Sequence, residues 1–236
     1  MEQGGDVLAQ PQSGKSLLYV TILPEGYDPS RSYPLVILLH GYGAHMYDLA
    51  NISPAIDPRS YVYVCPNGPI PVLIGEGTIG YSWRPGRDDG GPPEAQEAQA
   101  RRVEGMLQEF FAEAMERYKT PPGKAALIGF SQGGTVTYNL GLGRPALFAG
   151  VACLSTGIND PALVRSRLPA QRTQPVFIAH GTQDNPERAR SARALLEEAG
   201  YQPEYHEYDM GHEISDAVMA DLSPWVRKVL PTLTMP

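Results

Sequence analysis

The chain has 236 residues, 42% of them hydrophobic and 19% charged, with a formal net charge of −7. That composition excludes intrinsic disorder, and no cluster of Lys and Arg with interleaved aromatics offers a nucleic-acid surface. The longest purely aliphatic run, Leu35 to Leu39, is far short of the ~20 residues a membrane span requires.

A chain of this length fits one α/β domain, read here as 1–236, with residues 1–15 expected to be a flexible N-terminus. The start, M-E-Q-G-G-D-V-L-A-Q, lacks the basic and apolar segments of a signal peptide, so the protein reads as cytoplasmic. Cys65 and Cys153 fall in strand-like apolar runs and read as buried, reduced core residues.

In chain order, strands are predicted at Leu17–Leu23, Leu35–Leu39, Tyr61–Cys65, Ala125–Ile128, Phe148–Leu154, Val176–Ala179 and Glu204–Tyr208. Several are short, continuous apolar runs, the pattern of strands covered on both faces. Between them the 94–119 stretch places Val103, Met106, Leu107, Phe110, Phe111, Ala114 and Tyr118 on one helix face. A second helix is predicted from Pro186 to Ala199, with Asn185 as cap and Gly200 as stop. A last helical stretch begins near Glu213 and is expected to be split by Pro224, with Ser223 capping the second piece.

Strand and helix alternating in this way predict a mostly parallel sheet with helices on both faces and no large cap domain, its sites at the C-terminal strand ends. Residues 67–93 fit neither period. With seven Gly and five Pro in 27 residues, they read as a long loop near the active site.

The chemistry concentrates in four places. Gly129-Phe130-Ser131-Gln132-Gly133 matches G-x-S-x-G, preceded by a strand and followed by a helix-compatible stretch. A nucleophile on so tight a turn needs small residues at −2 and +2, and the turn aims the Gln132 amide at any oxyanion formed there. Of five histidines, His212 alone sits in a loop between the last strand and the last helix, where a base reaches the serine. His40 and His180 end strands and read as loop-orienting, His206 as structural or exposed, and His45 as at most a substrate contact. The acid belongs between Ser and His in the chain; Asp184 is preferred, Asp160 is the alternative, and Asp209 is too close to His212 in sequence. The glycines of His40-Gly41-Tyr42-Gly43-Ala44 let the Tyr42 amide serve as second oxyanion donor.

Together H-G-Y-G-A, G-F-S-Q-G-G, H-G-T-Q-D and G-H-E-I-S resemble the phospholipase/carboxylesterase family of α/β-hydrolases, over about Leu17 to Leu230. The resemblance implies Ser131 as nucleophile, His212 as base, Asp184 as acid, and the Tyr42 and Gln132 amides as oxyanion hole. The sequence departs from that family after the acid, where Asn185-Pro186-Glu187-Arg188 stands, and at Trp83-Arg84-Pro85. Gly75-Glu76-Gly77-Thr78-Ile79-Gly80 matches a dinucleotide motif but no helix follows, and Gly14-Lys15-Ser16 lacks the strand and first glycine of a phosphate loop. No cofactor and no metal are implied.

The expected function is therefore hydrolysis of a small-molecule carboxylic ester with a short to medium acyl chain. The alternatives are a thioesterase or lysophospholipase with the same residues, and a hydrolase-fold binding module without turnover. Within the 67–93 loop, Trp83, Tyr81 and Ile79 are candidate walls of an acyl pocket. A monomer and a homodimer are equally open.

Overall fold

A computed structural model describes residues 9–75, 77–85 and 91–233. Among the described residues ten strands and six α-helices follow one another: β1 (Gln10–Ser13), β2 (Leu18–Ile22), β3 (Leu35–Leu39), α1 (Ser53–Ile56), β4 (Val62–Pro66), β5 (Ile70–Leu73), β6 (Ile79–Ser82), α2 (Pro93–Arg117), β7 (Ala125–Phe130), α3 (Gln132–Gly141), β8 (Phe148–Leu154), α4 (Pro161–Arg167), β9 (Val176–Gly181), α5 (Glu187–Glu198), β10 (Glu204–Tyr208) and α6 (Asp216–Val229).

Eight strands form the main sheet in the order β1-β2-β4-β3-β7-β8-β9-β10. From β4 to β10 the pairings are parallel, and β1 and β2 run antiparallel at one edge. This is the α/β arrangement expected from the alternating elements. The pleat explains why β3 is apolar throughout. Leu35, Ile37 and Leu39 enter one core with α2, α3, α4 and α5, whereas Val36 and Leu38 enter the other with α1 and α6. Central strand β7 divides its residues the same way, Leu127 to one side and Ile128 to the other.

Three expectations are corrected. Residues 10–13, placed in a flexible N-terminus, form β1 against β2. Their polar side chains gave no periodic signal, because an edge strand is stabilised by its backbone ladder; residues 1–8 lie outside the described residues. The 67–93 loop contains the hairpin β5–β6, in which Pro71 is tolerated because the ribbon is all edge; residues 76 and 86–90 lie outside the described part. Pro224 lies inside α6 and does not split it. Ser215 caps that helix, while Ser223 Oγ donates instead to the Ala55 carbonyl at 2.8 Å. An interior proline costs about 3 kcal/mol, and burial of Val218, Leu222, Trp225 and Val226 against the sheet opposes that cost.

Candidate active site

Ser131 sits between β7 and α3 with φ 52° and ψ −114°, a conformation that L-residues rarely adopt. The surrounding glycines make the turn possible. A Cβ on Gly129 would overlap the Gly133 carbonyl, and one on Gly133 would overlap the Leu39 carbonyl. Small residues at −2 and +2 are thus required by backbone crossing backbone, as the sequence suggested. Ser131 N–H donates to the Leu154 carbonyl at 2.9 Å, tying the turn to β8.

His212 Nε2 lies 2.9 Å from Ser131 Oγ, and its Nδ1 lies 2.7 Å from Asp184 Oδ2. The carboxylate only accepts, so Nδ1 carries the proton and Nε2 is left to take one from the serine. Loops from β9 and β10 hold this geometry. Thr182 N–H donates to the Tyr208 carbonyl at 2.8 Å and Gln183 N–H to the Met210 carbonyl at 3.1 Å. A side chain at Gly181 would collide with the Met210 and Gly211 carbonyls. Partial burial works to raise the Asp184 carboxyl, but hydrogen bonds from His212 and the Asn185 N–H outweigh it, and the group ends below its ordinary value.

Asp160, the alternative acid, caps α4 by accepting the Leu163 N–H at 2.9 Å. Asp209 accepts from the Gln183 side chain. His206 stacks between Phe177 and Tyr208 on the sheet, and His45 accepts the Tyr47 N–H.

The His40–Ala44 loop reaches Ser131, since a Cβ on Gly41 would lie 3.4 Å from that of Ser131. Gln132 opens α3, so its amide has no intrahelical acceptor. The hairpin grips the same loop: Gly43 N–H donates to Tyr81 O and Tyr81 N–H to Ala44 O, both at 2.9 Å. The fit is so close that a Cβ on Gly80 would overlap the Gly43 carbonyl. His40 is the loop-orienting residue expected, with Nδ1–H donating to Gly41 O at 2.7 Å and Nε2 accepting Gly68 N–H at 2.9 Å.

Two contributions were not foreseen. The Gln132 side chain accepts Trp83 N–H at 2.8 Å and donates to Ser82 Oγ at 2.9 Å, so the residue that follows Ser131 also anchors the loop. His180, near the end of β9, lies 3.0 Å from Asp184 in the loop that follows its own strand. A one-dimensional pattern carries no signal for either.

The three proposed wall residues part ways. Trp83 is only 1% exposed and belongs to the main core, its indole N–H donating to His40 O at 2.8 Å. It also borders a cavity of about 370 Å³ between α2, α3 and α4, with Val136, Leu140 and Leu163. Ile79 is 59% exposed, and neither it nor Tyr81 reaches that cavity; Tyr81 contributes its backbone to the bonds with Gly43 and Ala44. A second cleft, about 500 Å³, includes Val176 and Glu204 at the starts of β9 and β10. It therefore lies at the opposite end of the sheet from Ser131.

The description phospholipase/carboxylesterase fits a family model matching residues 28–230. Among known proteins, the chain is 28% identical to acyl-protein thioesterase 1 of Mycosarcoma maydis, over 83% of this chain and 91% of that one. It is 27% identical to a probable carboxylesterase of Oryza sativa subsp. japonica, over 93% of this chain and 86% of the other. The crystal structure of esterase PE8 superposes with a TM-score of 0.73 at 24% identity, covering 89% of this chain and 97% of that one.

Proposed function

Because the chain belongs to the phospholipase/carboxylesterase family of α/β-hydrolases, a group of serine hydrolases, we propose that it cleaves carboxylic esters through an acyl-enzyme on Ser131. The observation that carries the reading is the unbroken relay of 2.9 Å from Ser131 Oγ to His212 and 2.7 Å from His212 to Asp184. His212 Nε2 accepts the hydroxyl proton as Oγ attacks the carbonyl carbon. The Tyr42 and Gln132 amides receive the negative charge that develops on the carbonyl oxygen. His212 then protonates the departing alcohol. In the second half it takes a proton from water, whose oxygen attacks the acyl carbon and restores Ser131. Asp184, held ionised, keeps the Nδ1–H tautomer and stabilises the imidazolium.

The substrate is a small ester with a short to medium acyl chain, acted on within a single domain. The cavity bordered by Trp83 has a mixed wall, in which Val103, Leu107, Val136 and Leu140 stand beside Arg84, Arg101, Glu104 and Arg167; its apolar part could hold a short chain at about 0.8 kcal/mol per buried methylene. A thioester reading is favoured by the similarity to an acyl-protein thioesterase, and the same residues would perform it. Two unpaired, buried cysteines fit the reducing cytoplasm, and among the described residues no helix is long and apolar enough to cross a membrane.

A fluorophosphonate probe tests the reading. It should label Ser131 stoichiometrically, and the label should vanish in Ser131→Ala; absence of labelling would favour a binding module. A chain-length series of p-nitrophenyl esters beside a matched acyl thioester then separates esterase from thioesterase.

A further inference from the structure

His180 ends β9 four residues before Asp184, and the mechanism above does not use it. Its side chain is 0% exposed, and neither ring nitrogen has a well-aligned hydrogen-bond partner among the described residues. Its Nε2 nonetheless lies 3.0 Å from Asp184 Oδ2, the oxygen that also meets His212 Nδ1 at 2.7 Å. Two imidazoles therefore converge on one carboxylate oxygen, one from the strand end and one from the base loop.

Elementary constraints fix the state of the buried ring. A carboxylate oxygen can only accept, so the nitrogen facing it must carry a hydrogen, which makes the neutral ring the Nε2–H tautomer. Protonating Nδ1 as well would bury a charge together with an unpaired donor. Burial accordingly pushes His180 below its ordinary value, against the opposing pull of Asp184; Arg188 from α5 and His212 push the same way as burial. On β10, Glu207 stands in register with His180 and is itself paired with Arg190 of α5 at 2.7 Å. Neutrality matters for the chemistry. A cation at this position would pair with Asp184 and compete for the charge that the His212 imidazolium needs, whereas a neutral donor orients the carboxylate without cancelling it.

We propose that His180 is a positioning residue for the acid, a neutral imidazole whose Nε2–H faces Asp184 Oδ2 and fixes that oxygen for His212. The inference rests on the triad reading above and adds a fourth side chain to it.

The test compares His180→Leu, which removes the donor, with His180→Gln, which keeps an N–H. Both are normalised to active sites titrated with the fluorophosphonate. His180→Leu should lower kcat roughly ten- to a hundredfold, the usual worth of a hydrogen bond to a charged group, with KM little changed, and His180→Gln should recover most of it. The acidic limb of the kcat/KM profile should move to higher pH in His180→Leu, because a carboxylate with one donor fewer favours the protonated base more strongly. In an Asp184→Ala background, His180→Leu should cost nothing further. Loss of thermal stability with an unmoved limb, or an equal loss in the Asp184→Ala background, would overturn the proposal and leave the triad standing. Near-normal turnover by Asp184→Ala alone would overturn the triad reading and this inference with it. Should His180→Leu fail to fold, ¹⁵N NMR of the unaltered protein decides. An Nε2–H tautomer that stays neutral across the active pH range is expected, and an Nδ1–H tautomer or an imidazolium there refutes the assignment.

Discussion

Acid should unfold this protein partly through His40. Its Nδ1–H donates to Gly41 O and its Nε2 accepts from Gly68 N–H, so both nitrogens are committed and a second proton would have to displace the Gly68 bond. The ring is 2% exposed and packs 4.8 Å from the Trp83 ring. Burial, with only partial opposition from the Gly41 carbonyl, pushes it from 6.5 down to about 4. The native site thus binds a proton more weakly than the unfolded chain. Its contribution to stability is complete above about pH 6.5, falls as the pH drops through the window between the two values, and is gone below about 4. At about 1.4 kcal/mol per unit, the loss by pH 4 is about 3 kcal/mol. His40→Gln keeps a donor and an acceptor but cannot titrate. At pH 7 it should be less stable than the parent by about 1–3 kcal/mol through imperfect hydrogen bonds. Urea unfolding free energies at a series of pH values should then show the parent losing about 3 kcal/mol more than His40→Gln as the pH falls to 4, so that the gap closes or reverses, the slopes with urea staying equal. Parallel curves would refute the account, because all other groups titrate in both proteins alike.

Ser131→Ala or His212→Ala should cut kcat by on the order of 10³–10⁶, with the double variant little worse than either single one; near-normal turnover of Ser131→Ala would remove the nucleophile assignment. Asp184→Asn should be severe, because an amide favours the wrong tautomer of His212, whereas Asp160→Asn should leave kcat intact and stability nearly unchanged, since Asn caps α4 as well as Asp does, and the opposite ranking would reassign the acid. Trp83→Ala should lower stability by about 3–5 kcal/mol, measured by denaturant unfolding; a modest loss with a shifted ester chain-length profile would mean that the cavity wall outweighs the core role. Gly80→Ala should push the hairpin off the Gly43 carbonyl and lower kcat at least tenfold by displacing the Tyr42 amide, and an unchanged kcat would show that the loop holds its shape unaided.

The parts of the site legible in the sequence are those in which one residue type is forced by local geometry. Gly129 and Gly133 had to be small because backbones cross there, and His212 and Asp184 stood at strand ends by chain order alone. The sheet was legible for a related reason: β3 and β7, buried on both faces, are apolar at every position. What escaped depends on contacts between distant segments. The Gln132 side chain meets Ser82 and Trp83 across 50 positions or nearly so, and no periodicity announces that. His180 looks like any strand-end histidine until the turn to Asp184 folds back on it. The hairpin β5–β6 was masked by its Gly and Pro content, and α6 kept its proline because tertiary burial overrode a local preference. Trp83 does two jobs that apolar bulk announces equally, filling the core and bordering the cavity between α2, α3 and α4.

The parallel order of the sheet makes catalytic competence a late event in folding. Ser131 and His212 are 81 positions apart, and Asp184 lies between them, 28 before the histidine, so the three side chains meet only after the β7, β8, β9 and β10 crossovers have closed. Such non-local pairing forms slowly compared with helices. Half-assembled chains, however helical, would present a serine without its base. A serine-directed probe added at intervals during refolding would therefore count finished molecules, and its rate of capture would time the docking of the last strand.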